Sequence, residues 1–114
     1  MNTIADKVII VEGLSDRKRV REIVREEVEI ICTNGTISLS RLDELIDELD
    51  GKELYILFDA DSSGEKLRKQ FIREFPDARH LYIDRAYKEV AAAPYQHLAS
   101  ILLRAHIDVH AEFL

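Results

Sequence analysis

The chain reads as an α/β protein with a four-stranded parallel sheet, strand order 2-1-3-4, flanked by helices on both faces. Three observations predict it. Two short, continuous runs rich in β-formers, KVIIV at residues 7–11 and LYILF at residues 54–58, have the length and composition of strands buried on both sides. These runs alternate with stretches whose apolar residues recur at helical spacing, the pattern of repeated β-α-β units. Both runs stop at carboxylates, Glu12 after the first and Asp59 and Asp61 after the second, where the chain leaves the sheet. In open α/β sheets that carboxyl edge is where ligands bind.

Composition bounds the remainder. The 114 residues are expected to form one domain, residues 1–114, long enough to bury a core of its own. A hydrophobic content of 46% beside 33% charged residues belongs to a folded globular chain, not a disordered one. No apolar run approaches the ~20 residues that cross a bilayer. The opening MNTIADK lacks a basic region followed by an apolar one, so no export signal is read there. Cytoplasmic residence without a membrane partner follows as the expectation. Cys32, the single cysteine, has no internal disulfide partner and is read as a small core residue of an apolar run.

Taken in order, Lys7 to Val11 is the first strand, closing on Glu12-Gly13. From Asp16 a helical pattern places Val20, Ile23 and Val24 on one face and most of the arginines on the other. Asp16, one turn before Val20, is expected to point back at the sheet edge that holds Glu12. Its plainer role is a first-turn acid favoured by the helix dipole. Glu29 to Cys32 is the second strand, and Thr33-Asn34-Gly35-Thr36 is a turn that accepts positive φ. Leu42, Leu45, Ile46 and Leu49 form the inner face of an acidic helix, capped by Ser38 or Ser40 and ended by Asp50-Gly51. Leu54 to Phe58 is the central strand. Ser62 and Glu65 read as a capping box opening a helix whose inner stripe is Leu67, Phe71 and Phe75, halted by Pro76. His80 to Ile83 is the fourth strand, and Asp84 to Ala93 carries no assignable pattern. Pro94 suits the first position of a last helix, with Leu98, Ile101, Leu102 and Ala105 inward. Residues 107–114 are left as a continuation, a strand or a tail. His106 and His110 would share a face only in a helix, and with no carboxylate or thiol placed beside them a metal site is not expected there.

The order 2-1-3-4 makes the first and third strands neighbours, with the winding reversing between them, so Glu12, Asp16, Asp59 and Asp61 surround one crevice. Either aspartate of the pair alone reads as a helix cap or turn residue. Four carboxylates facing one another are strongly destabilising unless a cation compensates, and oxygen-only ligands favour Mg2+ or Mn2+ over zinc. The net charge of −6 argues against nucleic acid, but the charge is segregated. Nine of the 16 basic residues lie on two predicted helices: Arg17, Lys18, Arg19, Arg21 and Arg25, then Lys66, Arg68, Lys69 and Arg73. Two solvated faces are the plain reading, and an approach surface for backbone phosphates the sharper one.

The pattern VIIVEGLSD at Val8 to Asp16, TNGT at Thr33 to Thr36 and LFDADSSG at Leu57 to Gly64 resembles the Toprim domain of topoisomerases, bacterial primases, recombination proteins and several nucleases. The likeness covers roughly Lys7 to Glu89. It implies a Rossmann-like fold in which the strand-one glutamate, here Glu12, acts as general acid or base and joins the Asp-x-Asp pair, Asp59 and Asp61, in holding Mg2+. Among the branches, CTNGTIS, the run SGEKLRK and the spacing to Tyr87-Lys88-Glu89-Val90-Ala91 are most similar to the ribonuclease that matures the smallest ribosomal RNA. The likeness to that branch implies a motif glutamate after the fourth strand, for which Glu89 stands. The extra carboxyl-terminal region by which that ribonuclease engages its substrate is not expected here, so the RNA stays open. A topoisomerase needs a nucleophilic tyrosine on another domain and a primase a further nucleotide-binding region; neither is expected.

The function expected is Mg2+- or Mn2+-dependent phosphodiester hydrolysis, on RNA in preference to DNA, with a partner protein as a further expectation. Glu12, Asp59 and Asp61 would carry catalysis and metal, supported by Asp16, Gly13, Gly64 and Glu89, while Arg17, Lys18 and Lys66 hold neighbouring phosphates. The alternative is a module that grips nucleic acid or a partner without cutting. A receiver-type signalling domain has similar length and a key aspartate after strand three, yet wants paired acids after strand one and a lysine after a fifth strand. An Asp-x-Asp-x-Thr phosphatase fits less well, since Ser63 stands at the threonine position.

Overall fold

The computed structural model describes residues 6–114. The reading of the opening segment as lacking an export signal therefore falls mostly on residues 1–5, outside the described residues. Strands β1 (Lys7–Val11), β2 (Glu29–Cys32), β3 (Glu53–Leu57) and β4 (Arg79–Leu81) form one sheet in the order β2-β1-β3-β4, with every pairing parallel. The register sets Val8 beside Leu54 and Ile10 beside Ile56. Helices α1 (Leu14–Ile23), α2 (Leu39–Glu48), α3 (Ser62–Glu74) and α4 (Tyr95–Arg104) complete the frame.

Side chains alternate across a strand, and here the alternation feeds two separate cores. Ile9, Val11, Tyr55 and Leu57 face α1 and α4, where Val20, Ile23, Leu98 and Leu102 close over them. Val8, Ile10, Leu54, Ile56 and Phe58 face α2 and α3, meeting Leu42, Leu45, Leu67 and Phe71. A sheet buried on both sides explains why β1 and β3 are continuous apolar runs without polar alternation. Cys32 packs against the first of these cores, as a small apolar residue does.

Several boundaries differ from the sequence reading. Strand β3 begins and ends one residue earlier than expected, at Glu53 and Leu57, and Phe58 lies just beyond it, fully buried. Strand β4 likewise starts at Arg79 and stops at Leu81, before Tyr82 and Ile83. An arginine explains where this end of the sheet closes. Arg68, on α3, donates from Nη2 to the carbonyl oxygens of Leu81 at 2.7 Å and Phe58 at 3.2 Å, and from Nη1 lies 3.1 Å from His80 Nδ1. Its guanidinium occupies carbonyls that a longer β3–β4 ladder would have used.

The cap of α3 is Asp61, not Ser62: Asp61 is extended (φ −131°, ψ 178°) and its Oδ1 accepts the Gly64 N–H at 2.7 Å, so Ser62 is already helical. Ser38 caps α2, accepting from the Arg41 N–H at 3.2 Å. Pro94 stands at the N-cap of α4, one place before the position expected. Residues 84–93 contain two 3-10 turns, Arg85–Tyr87 and Val90–Ala92. Beyond α4 the helix does not continue. Val109 bridges antiparallel to Val24, the Arg25 N–H donates to Asp108 O at 2.9 Å and the His110 N–H to Ile23 O at 2.9 Å. Ile107 and Val109 are buried, so apolar anchoring of the tail onto the end of α1 wins over helix extension. No helix among the described residues is long and apolar enough to cross a membrane.

Removing the Arg68 fork leaves two strand-end carbonyls without their donor in a site where Arg68 is only 6% exposed. A buried polar group stripped of its partner costs about 1–3 kcal/mol, so Arg68→Met should lower the urea-unfolding free energy by about 2–5 kcal/mol. Arg68→Lys should recover only part of this, because a single ammonium cannot reproduce the planar fork. Equal unfolding midpoints for the wild type and both variants would show that the carbonyls do not depend on Arg68.

Candidate functional site

At the carboxyl edge, between β1 and β3, acids from distant parts of the chain meet. Glu12 follows β1 and its Oε2 accepts the Asp59 N–H from the loop after β3, at 2.6 Å. Asp16, in the first turn of α1, is 5% exposed and its Oδ2 accepts the Gly13 N–H at 3.1 Å. Asp59 Oδ1 in turn accepts the Val90 N–H at 2.8 Å. The backbone around the acids is tied down as well. The Thr33 and Asn34 N–H groups donate to Val11 O and Glu12 O, and the Ala60 N–H to Lys88 O, all within 2.6–2.9 Å. Glu12, Gly13, Ser15, Asp16, Asp59 and Glu89 line a cleft of about 260 Å³.

The charges in this cleft disturb one another. Burial pushes the Glu12 carboxyl up to about 6, with the charges of Asp59, Asp61 and Asp16 adding to the rise and the Asp59 N–H opposing it. Burial also raises Asp16, helped by Asp59 and Glu89, and raises Asp59, helped by Asp61 and Glu89. Four hydrogen bonds from backbone N–H groups thus hold one oxygen each of Glu12, Asp16, Asp59 and Asp61. Dipoles relieve part of the repulsion, and a hard cation would relieve the remainder through oxygens, the donor type that Mg2+ and Mn2+ prefer. Among the described residues no three acidic, histidine or cysteine side chains are already drawn together as a complete ligand set. The carboxylate oxygens that line the cleft are the donor type a hard divalent cation takes.

The structure sorts the other expected residues. Glu89 lines the cleft although its side chain is exposed. Asp61 caps α3 and acts on Glu12 and Asp59 through its charge, outside the cleft lining. Gly64 is required for close approach, since a Cβ there would run into the Asp59 carbonyl. Gly13 carries no such demand; its contribution is the N–H that holds Asp16. Arg17, Lys18 and Lys66 are exposed, but α1 and α3 pack on opposite faces of the sheet, so the two basic sets do not make one surface. Lys66 lines a separate small recess with Gly35 and Thr36. Two of the nine cations are committed elsewhere. Arg68 is buried at the strand ends, and Arg19 donates to Ala93 O and lies 4.3 Å over the Tyr95 ring. His106, with φ 65°, and His110 lie in the irregular tail rather than on one helical face.

The loop at 84–93 was missed by sequence reasoning. Lys88 has φ 64° and ψ −48°, and the Glu89 N–H donates back to Tyr87 O at 2.7 Å, making a tight three-residue turn of the strained, positive-φ kind. That turn places the Lys88 carbonyl on Ala60 and the Val90 N–H on Asp59.

For Glu12 the linkage sign is fixed by its raised pKa. The advantage of the neutral carboxyl is fully present below its ordinary 4.5 and is lost as pH rises through about 6. Glu12→Gln keeps an acceptor for the Asp59 N–H and removes the charge. The variant should therefore unfold at higher urea than the wild type at about pH 7.5, with the gap closing near pH 4.5. A variant less stable than the wild type at the higher pH would show that Glu12 is not strained by its neighbours.

Residues 7–93 match the Toprim domain. The chain is 62% identical over 109 residues to the uncharacterised protein YusF of Bacillus subtilis, covering 96% of this chain and 75% of that one. It is 35% identical to ribonuclease M5 1 of Ligilactobacillus salivarius, covering 68% of this chain and 41% of the relative. With ribonuclease M5 of Fusobacterium nucleatum the identity is 34%, covering 69% and 43%. The chain thus spans about two fifths of the length of these ribonucleases. The solved structure of a small TOPRIM domain protein from Bacillus stearothermophilus superposes with a TM-score of 0.93 at 62% identity, covering 96% of this chain and 93% of that one. A family match over most of the length, joined to a β2-β1-β3-β4 sheet with Glu12 and Asp59 in contact at its carboxyl edge, leaves no place for the receiver reading: the chain belongs to the Toprim domain family.

Proposed function

We propose that this Toprim domain is a divalent-metal-dependent phosphodiesterase acting on nucleic acid, RNA rather than DNA, in the cytoplasm. The observation that carries the reading is the hydrogen bond from the Asp59 N–H to Glu12, which joins acids 47 positions apart at the edge where α/β sheets bind ligands. Similarity to two ribonucleases supports RNA as the polymer.

Glu12, Asp59 and Asp61 are the residues that would hold Mg2+ or Mn2+. Such an ion, when bound, supplies Lewis acidity toward a phosphodiester and offsets the negative charge that grows during displacement. Glu12 shares that ligand set or moves the proton between water and the leaving oxygen, and its link to Asp59 keeps it in place for either task. Asp16 steadies the Gly13 backbone behind Glu12, and Glu89 adds charge at the cleft's rim. Arg17 and Lys18 offer charge to flanking phosphates from the helix beside the acids, whereas Lys66, in its own recess on the other face, could meet only a more distant part of the same strand.

A general acid or base contributes about 10²–10⁴-fold, so Glu12→Gln should lower Mg2+-dependent cleavage of a structured RNA by that factor while remaining folded. Calorimetric titration with Mn2+ should give a binding heat in the wild type that Asp59→Asn abolishes. Undiminished cleavage by Glu12→Gln, or an identical heat from Asp59→Asn, would sink the mechanism. A second reading, a module that binds nucleic acid or a partner protein without cutting, draws on the absence, among the described residues, of three ligating side chains already drawn together. Retention of RNA with no product over hours in Mg2+ would favour it.

A further inference from the structure

Beside the acid cleft lies a second cavity, of about 350 Å³, whose wall includes Asp59 itself. Its other lining differs from that of the first: Ile72, Tyr82 and Ile83 supply apolar surface, and Lys69 and Arg85 supply cations. Ile72 is 53% exposed and Tyr82 63% exposed, a high value for an aromatic side chain next to a candidate site. The phenol is nevertheless backed by other groups. The Arg68 guanidinium lies 4.1 Å from its ring centre, and the His80 ring lies 6.4 Å away at 29°. Arg68 is in turn fixed by the carbonyls of Phe58 and Leu81, so this aromatic surface is supported from the sheet. Over the cavity Arg85 pairs with Glu65 at 3.1 Å, but both side chains are more than half exposed, and an exposed pair of this kind opens at small cost.

We infer that this cavity takes one unpaired nucleobase of a single-stranded RNA segment, stacked on Tyr82, next to the phosphate that would sit in the acid cleft. The inference rests on the phosphodiesterase reading and narrows its substrate to RNA with an unstacked base beside the cut. Three features select that occupant. An exposed, supported aromatic ring suits the π-face of a base, which every base presents. The cations Lys69 and Arg85 complement the backbone charge of the same strand. Asp59 lines both the cavity and the acid cleft, so the two adjoin at that residue and base and phosphate can belong to one chain. In a continuous duplex each base is stacked and paired, and its π-face is not free for the ring.

The test is fluorescence anisotropy with two labelled RNAs of equal length, a single strand and a blunt duplex, in Ca2+ buffer, comparing wild type, Tyr82→Ala and Tyr82→Phe. Loss of base–aromatic stacking weakens binding roughly 5- to 150-fold, so Tyr82→Ala should lose that factor on the single strand and little on the duplex. Tyr82→Phe, which keeps the ring, should bind nearly as the wild type. Tyrosine fluorescence should also be quenched by the single strand in the wild type and less so in Tyr82→Ala. Unchanged affinity in Tyr82→Ala, or equal loss on both RNAs, overturns the inference. Cleavage assays on the same samples keep the two readings apart. Asp59-dependent cleavage that survives Tyr82→Ala together with unchanged binding discards the base site alone, whereas RNA that is neither bound nor cut discards both.

Discussion

Repulsion among carboxylates crowded at one edge of the sheet is the constraint to which the surrounding structure answers. Burial and like charge raise Glu12, Asp16 and Asp59 together, yet the fold sets backbone donors against each of them. Gly13 serves Asp16, Asp59 serves Glu12, Val90 serves Asp59 and Gly64 serves Asp61. One buried cation, Arg68, lies close enough for its own charge to be influenced by Glu12, while its hydrogen bonds go to carbonyls and His80 rather than to the acids. The acids are therefore positioned but not neutralised, the state in which a site retains an appetite for positive charge.

Topology makes that crowding possible. Because β1 and β3 are neighbours while their following helices turn to opposite faces, the two loops part and leave a crevice between them. The two cores stabilise this parting from either side. Large buried groups such as Tyr55, Phe58 and Phe71 make the strands rigid rails for the acid loops. Gly64 lets α3 come so near the Asp59 carbonyl that the loop between them has little freedom. Precise placement of acids comes here from packing beneath the site as much as from contacts within it.

The presence of each strand, the sheet order and the meeting of Glu12, Asp16 and Asp59 were legible because each leaves a strong local mark: a β-branched run, a reversal of winding, an acid at a strand end; the bounds of β3 and β4 were not. The cap of α3 was misassigned since both Asp61 and Ser62 are good cap residues, and only backbone conformation decides between them. Arg68 carried a readable sign, lying three residues before Phe71 on the inner stripe of α3, but a charged residue in a basic helix invites a solvent-facing reading. Residues 84–93 escaped because their order comes from bonds to the Asp59 loop, with Lys88 in a conformation that local preference disfavours. The tail likewise depends on Val24 and Ile23, more than 80 positions away, so no window of its own sequence reveals it.

The hydrogen bonds that link the four strand-end connections of the carboxyl edge have a bearing on how such a chain can vary. Residues 33 and 34 hold the end of β1, and residues 88 and 90 hold residues 60 and 59, so each loop is measured against another. An insertion in any of them would shift a donor out of phase and turn an acid away. The connections at the opposite edge, around Gly51 and Pro76, bear no acid of the cleft and have solvent beside them. Length variation and grafted segments belong there, at the end of the sheet where a change of contour leaves the acids undisturbed.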